Sequence, residues 1–435
     1  MKGARTEAPV PGVRWAPAPP ANASPISLWL AFLIFVVIGR ATELIPGFAS
    51  LPLAKLMLVG ATIAALVNRE RLSAHGLFQI PGTRTAYALF ALAIFSVVFS
   101  VYRGASFNGI NGVFLLMITF GLIVKSAKGL ADVERILKAL VWSGAALSFA
   151  TLLGYQGGRA EIKSSYDTND LAYVLVSILP IAVVLGVVAD GLRRLLWRAL
   201  SVVALVTIAL TQSRGGMVAL VAIGALAALV PQFHLAREDP EKPRRRNLVL
   251  RLLMVAAVGA CIWLVLPAET QQRMATMLNL GSDYNTDLSN KEGRFSVWER
   301  NAGAAIQRPF GYGLNTFSYV DNMYGGTYKA PHNSLLQVWV ELGFLGLFLY
   351  LHNYWTQFRE LGCIAAPGPA TGPPALPLAR SPQVILLYSR ALRLSLIGNF
   401  VAGFFLSQAY SNLHWILIAT CAALIAVVRP APKGR

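Results

Sequence analysis

The sequence predicts an all-α polytopic membrane protein with about twelve transmembrane helices. Three observations carry that reading. Only 13% of the 435 residues are charged, about half the share of a soluble domain. Mean hydropathy is +0.56 and 55% of the residues are hydrophobic. The apolar residues are also gathered into long runs, and a helix needs ~20 of them to cross hydrocarbon.

Taken in order, the runs fall at about 27–45, 51–68, 86–102, 109–125, 136–153, 171–189, 196–211, 215–233, 250–267, 333–352, 386–407 and 412–428. The fourth and seventh are short. The eleventh has an ill-defined start, because Arg390 and Arg393 fall in its first turns. Residues 1–25 are rich in Pro and Ala and lack a short apolar core before a small-residue cleavage site, so they read as a disordered cytoplasmic tail, not a signal peptide. Nine spans lie within 26–267, one large outer loop covers 268–332, three spans occupy 333–428, and 429–435 is a second cytoplasmic tail. Cys261, Cys363 and Cys421 lie in or beside apolar segments and read as packing residues, not as a disulfide or metal set.

The net charge of +18 does not point to nucleic acid, because basic loops beside spans report topology. With the N-terminus inside, cytoplasmic loops collect 26 of the 38 Lys and Arg residues, including Arg244, Arg245 and Arg246. Both termini are therefore expected in the cytoplasm. The other basic residues carry more information. Arg40 falls near the outer end of the first span, Lys55 one turn into the second, and Arg159 in the outer loop 154–170. Asn169 or Asp170 can cap the helix after that loop. Cations in or beside hydrocarbon are costly and rarely idle, although snorkelling accounts for some of them. In Ser213-Arg214-Gly215-Gly216, a turn with almost no loop holds Arg214 at the membrane edge, and its glycines allow close approach.

The segment 268–332 is the long polar stretch around which the rest is organised. It predicts a helix over about 292–307, capped by Asn290, with Phe295, Trp298, Ala302, Ala305 and Ile306 along one face. Arg294 then lies in the first turn, where a guanidinium and nearby amides can face an anion together. Arg308-Pro309 ends the helix, and Gly311, Gly313, Gly325 and Gly326 are expected to give a mobile loop. Of the five histidines, only His332 begins a span directly after this segment.

Several arginines and one histidine, without an Asp-x-Asp pair or another metal-ligand cluster, make a distinctive inventory. Guanidinium forks suit phosphate. Several of them at a membrane surface point to a lipid diphosphate whose leaving charge they neutralise without a metal. His332 can take a proton from an acceptor hydroxyl or can simply hydrogen-bond and orient the phosphate. Glu341, about two and a half turns below His332, reads as a structural partner.

Thr211-Gln212-Ser213-Arg214-Gly215-Gly216, Gly293-Arg294 through Trp298, Pro309-Phe310-Gly311-Tyr312-Gly313, and His332-Asn333-Ser334 followed by Glu341-Leu342-Gly343-Phe344-Leu345-Gly346 together resemble the O-antigen ligase/polymerase superfamily. The similarity runs over about 165–350. It implies a GT-C-type helical glycosyltransferase in the bacterial inner membrane, with the 268–332 loop and the active site on the periplasmic side. The implied reaction is an inverting transfer of glycan from undecaprenyl pyrophosphate to lipid A–core oligosaccharide, with no metal or other cofactor and no nucleic-acid partner. By position, His332 matches the family's essential loop histidine, Arg294 its arginine, and Arg214 the arginine of the short turn. Arg159 matches less closely, as a pyrophosphate contact, and Arg40 and Lys55 join it as candidates.

Within the superfamily, a single large outer loop and the absence of an added acceptor-recognition domain favour ligase over polymerase and protein O-oligosaccharyltransferase. A transporter or flippase for a lipid-linked glycan is the reading from another class. The chain shows neither the internal repeat expected of one nor an obvious coupling carboxylate beyond Glu43 and Glu341.

Overall fold

The structure, a computed structural model, describes residues 23–45, 47–48, 50–162, 166–235, scattered positions from 249 to 272, 292–364 and 382–429. Its helices are α1 (Pro25–Ile38), α2 (Ala41–Leu44), α3 (Leu53–Val67), α4 (Thr83–Phe95), α5 (Arg103–Ser126), α6 (Leu130–Leu153), α7 (Thr168–Val188), α8 (Gly191–Thr211), α9 (Arg214–Leu229), α10 (Arg294–Gln307), α11 (Phe317–Met323), α12 (Ser334–Gly362), α13 (Pro382–Gly403) and α14 (Asn412–Val428). Six of them, α5, α6, α7, α8, α12 and α13, are long and apolar enough to cross a membrane. Five shorter apolar helices accompany them: α1, α3, α4 with its 3-10 extension to Phe99, α9 and α14. These features describe a multi-pass, all-helical membrane protein.

Eleven of the expected spans thus fall on described helices. The ninth, 250–267, shows only scattered helical positions. Outside the described residues lie most of the N-terminal tail, the 430–435 end, Lys163, the arginine run at 244–246, Arg273, and 273–291 with Lys291 and the expected cap Asn290.

The bundle is built around α7, which packs on α6, α8, α9 and α13 and is buried along most of its length. Beside it, the ring of Trp415 on α14 meets Phe90 of α4 and Phe120 of α5 at centroid distances of 4.4 and 6.2 Å. A buried polar knot ties these helices together. Asn399 of α13 accepts from the Tyr354 hydroxyl at 2.6 Å and donates to the Tyr173 oxygen at 2.8 Å, with the His414 ring 3.2 Å from its carbonyl oxygen. In a low-dielectric interior such bonds fix register, since the alternative is an unpaired polar group.

Span boundaries move where charge and glycine act together. The first helix stops at Ile38, so Arg40 lies outside it, in a left-handed residue (φ 51°) ahead of α2. Gly39 is the reason. A Cβ there would sit 2.6 Å from the Phe35 carbonyl oxygen and 3.3 Å from Ser143 Cα, so α1 closes tightly on α6 and then breaks. The two short spans are longer than expected, at Arg103–Ser126 and Gly191–Thr211, because Arg103, Arg193 and Arg194 begin helices from positions where they can reach water. The eleventh helix runs Pro382–Gly403 and places Arg390 and Arg393 inside it.

Two of the glycines expected to loosen the outer segment, Gly311 and Gly313, instead lock it. Tyr312 N donates to the Val340 carbonyl, Gly313 N to the Glu341 carbonyl, and Phe344 N to the Pro309 carbonyl, each at 2.9 Å. α12 breaks its helical path at Gly343 (φ 68°) to offer these groups. Gly311 (φ 81°) faces the break so closely that a Cβ would overlap the Glu341 carbonyl oxygen. Glu341 is buried, and one of its carboxylate oxygens accepts from Phe317 N at 3.4 Å, in keeping with its reading as a structural partner.

Candidate active site

His332, Arg294 and the Arg214 turn all adjoin the turn from 404 to 408, between α13 and α14. His332 N donates to the Ser407 hydroxyl at 3.0 Å. Two residues on, the Ser334 hydroxyl donates to the Leu406 carbonyl at 2.7 Å and accepts from Gln408 N at 2.9 Å. Asn333 caps α12, its side-chain oxygen accepting from Leu335 N and Leu336 N at 2.9 and 3.0 Å. His332 itself is left-handed (φ 42°), a strained conformation for a bulky residue. It is held between the cap on one side and Ser407 on the other.

Arg294 reaches the same turn from α10, donating to the Phe405 carbonyl at 3.5 Å. α10 starts at Arg294 behind Gly293, which provides no side-chain cap. Its first amides and its guanidinium therefore lie together at the positive end of a helix dipole. The helix is fixed by Trp298, whose Nε1 donates to the Pro331 carbonyl at 2.8 Å and whose ring meets Phe404 edge-on at 5.6 Å. Its buried face is Val297, Asn301, Ala304 and Ala305. The expected face is thus rotated, and Phe295 and Ile306 are exposed. The cause is a polar anchor. Asn301 donates to Asp321, which also takes Arg300 Nε at 3.0 Å.

The short turn before α9 completes the group. Ser213 caps α9 through Gly216 N at 3.3 Å, and Arg214 is the exposed first residue of the helix. Gly215 lies against Phe405, where a Cβ would come 3.0 Å from the Phe405 Cβ. Arg159 is bound into this turn, donating from Nε to the Thr211 carbonyl at 3.3 Å and from Nη2 to the Asn169 side-chain oxygen at 3.4 Å. Asn169 also accepts from the Ser213 hydroxyl at 2.8 Å. The expected cap of α7 is thereby corrected. Asp167 caps it, accepting from Asn169 N and Asp170 N at 2.7 and 2.8 Å. Asn169 ties two loops together, and Asp170 accepts from Gln408 Nε2 at 2.7 Å.

Arg40 is linked to the group through Asp170. It pairs with Glu43 at 2.9 Å, lies 4.8 Å over the Tyr166 ring, and interacts electrostatically with Asp170. Burial opposes its charge, but Tyr166 and Glu43 outweigh that and keep the guanidinium firmly protonated. Lys55 is not brought in. It is exposed in the first turn of α3 and makes no hydrogen bond or ion pair among the described residues. Two other cations of the outer segment are engaged in structural pairs, Arg300 with buried Asp321 at 2.5 Å and Lys329 with Glu292 at 3.2 Å.

The electrostatics bear on His332. Burial, the Arg294 charge and the Lys329 charge lower its pKa below the ordinary 6.5, while Asp167 works against them. The neutral ring favoured at pH 7 can accept a proton. Sequence reasoning missed Phe405, Ser407 and Gln408. The available signal was the polar pair Ser407-Gln408 between two apolar runs.

No curated protein matches the chain. Residues 199–351, which span the Arg214 turn, α10, the Pro309–Gly313 junction and the start of α12, match the O-antigen ligase family model, supporting a place for the chain in the O-antigen ligase/polymerase superfamily of glycosyltransferase-like membrane enzymes.

Proposed function

We propose that the protein is an O-antigen ligase. It transfers glycan from undecaprenyl pyrophosphate to lipid A–core oligosaccharide at the periplasmic face of the bacterial inner membrane, on a GT-C-type scaffold with both termini in the cytoplasm. The observation that carries this reading is the convergence on one turn of His332, the arginine-bearing start of α10, and the Arg214 turn.

In this scheme Arg214, Arg294, Arg159 and Arg40 hold the diphosphate, and the exposed Lys55 adds long-range attraction at the entrance. The acceptor hydroxyl attacks the anomeric carbon from the face opposite the diphosphate. As the new glycosidic bond forms, the bond from anomeric carbon to diphosphate oxygen breaks and the hydroxyl proton passes to His332. The configuration inverts because there is one displacement. The arginines stabilise the charge that develops on the leaving diphosphate, so no step calls for a divalent cation.

The test is transfer by purified protein supplied with undecaprenyl-pyrophosphate-linked glycan and lipid A–core in EDTA. Wild type is expected to form glycan-bearing lipid A–core. His332→Ala is expected to lose about 10³-fold in rate, within the range for a general base, while still folding and binding donor. Lengthening of the donor glycan with no transfer to core would make the protein a polymerase built on the same site. A strict need for added divalent metal would end the scheme, and movement of labelled lipid across the bilayer with neither product would replace an enzyme by a transporter.

A further inference from the structure

At the end of the bundle away from His332, Arg393 presents a second and unassigned cation site. It lies on α13 and is only 7% exposed. Its guanidinium carbon sits 4.5 Å from the Phe233 ring centroid and 4.3 Å from that of Phe358. Gly362 closes a third side, since a Cβ there would lie 3.3 Å from that carbon. Phe233 follows the C-terminal end of α9, whose opposite end carries the Arg214 turn. Phe358 lies in the last turns of α12, whose first turn follows His332. Both neighbours therefore fix the site at the far end.

Among the described residues, Arg393 makes no hydrogen bond or ion pair, and its buried Nε has no partner. Glu360, two residues before Gly362 in the chain, is engaged with Arg359 at 3.1 Å and with Arg429. The neighbouring cation Arg390 adds repulsion, and its guanidinium donates to the His234 carbonyl at 2.9 Å. Two aromatic faces stabilise a guanidinium but leave its in-plane N–H donors, the buried Nε among them, without a protein partner among the described residues. A desolvated cation of this kind is costly unless an anion accompanies it. Planar donors between helix ends match a phosphate.

We propose that Arg393 binds a phosphate group at this end of the bundle, its rings and Gly362 shaping the slot and its free guanidinium edge taking the oxygens. The membrane source is the headgroup of an anionic phospholipid, and the soluble source is a free phosphate. This assignment stands apart from the transfer chemistry at His332.

The experiment is thermal unfolding of the full chain in phosphatidylcholine nanodiscs, with and without phosphatidylglycerol, and separately with inorganic phosphate. Phosphatidylglycerol is expected to raise the Tm of wild type and of His332→Ala alike. Arg393→Gln is expected to lose that rise and to retain phosphatidylglycerol roughly tenfold more weakly in native mass spectrometry, as loss of a charge-assisted fork implies. Arg393→Lys, which keeps the charge, is expected to fall between the two and serves if the Gln variant does not fold. An equal rise with inorganic phosphate alone would keep the site and make the soluble anion its ligand. No rise with either, or the same rise in Arg393→Gln as in wild type, would overturn the proposal and leave the residue as an aromatic clamp.

Discussion

Two pairs of short motifs meet in this molecule, with glycine in three of the four, and they meet for different reasons. Pro309–Gly313 meets Glu341–Gly346 through backbone, with amides and carbonyls exchanged at 2.9 Å and glycines where no Cβ fits. Ser213–Gly216 and His332–Ser334 each meet a third segment, the 404–408 turn, through side chains. The first pair is architecture and sets where α12 breaks. The second leaves charged and titratable groups around a shared surface. A short glycine motif therefore marks close approach, and only the residues beside it tell whether the approach serves the fold or the chemistry.

The comparison breaks most sharply at Gly343. Its φ of 68° and the overlap of an added Cβ with the Pro309 carbonyl oxygen leave no room for a side chain. Gly343→Ala is expected to cost on the order of 3 kcal/mol of stability, read as a lower Tm and lower yield. The fraction that folds should keep its affinity for donor. A stable Gly343→Ala protein with impaired transfer would mean that this junction belongs to the chemistry after all.

The converse test lies at Arg214, where the expected effect is on rate and not on stability. Arg214→Lys keeps a positive charge at the exposed start of α9 but removes the bidentate fork, so transfer is expected to fall by about 10- to 100-fold with Tm unchanged. Near-normal transfer would reduce Arg214 to a topology anchor. A further test concerns the pair that orients α10. Asp321→Ala removes the buried carboxylate that Arg300 and Asn301 share and is expected to destabilise the outer segment by about 3 kcal/mol. Proteolysis of the folded protein should then open the 294–332 region first.

Much of this was legible in the sequence because periodic apolar runs and isolated cations are strong local signals. The runs located eleven of the helices, and Arg159, Arg214, Arg294 and His332 do gather at one end. What was not legible depends on partners distant in the chain. The break at Gly39, the rotation of α10 toward Asp321, and the rigidity of Gly311 and Gly313 each follow from contacts with another element. The same holds for Lys55, whose position in the chain resembles that of Arg40 but whose helix carries it away from the cluster. The 404–408 turn escaped notice because Ser407 and Gln408 act through one side chain each, and nothing local distinguishes them from loop residues.

The smallest effect expected is a shift along the pH axis, and it tests whether His332 works as a base. Its pKa is lowered by burial, Arg294 and Lys329 and raised by Asp167. The neutral ring therefore persists below pH 6.5, and transfer should be retained above the depressed pKa and lost as pH falls through it. Arg294 also belongs to the proposed diphosphate site, so the cleaner variants are the two flanking charges. Removing the Lys329 charge with Lys329→Gln takes away a lowering influence, so the acid limb of kcat/KM should move to higher pH. Asp167→Asn takes away the opposing influence, so the limb should move to lower pH. Each shift is expected to be about half a unit, since partly exposed charges are screened. Opposite displacements of one limb from two substitutions would tie it to His332. If both variants leave the limb in place, the titrating group is another one, and His332 is left with the phosphate-orienting role.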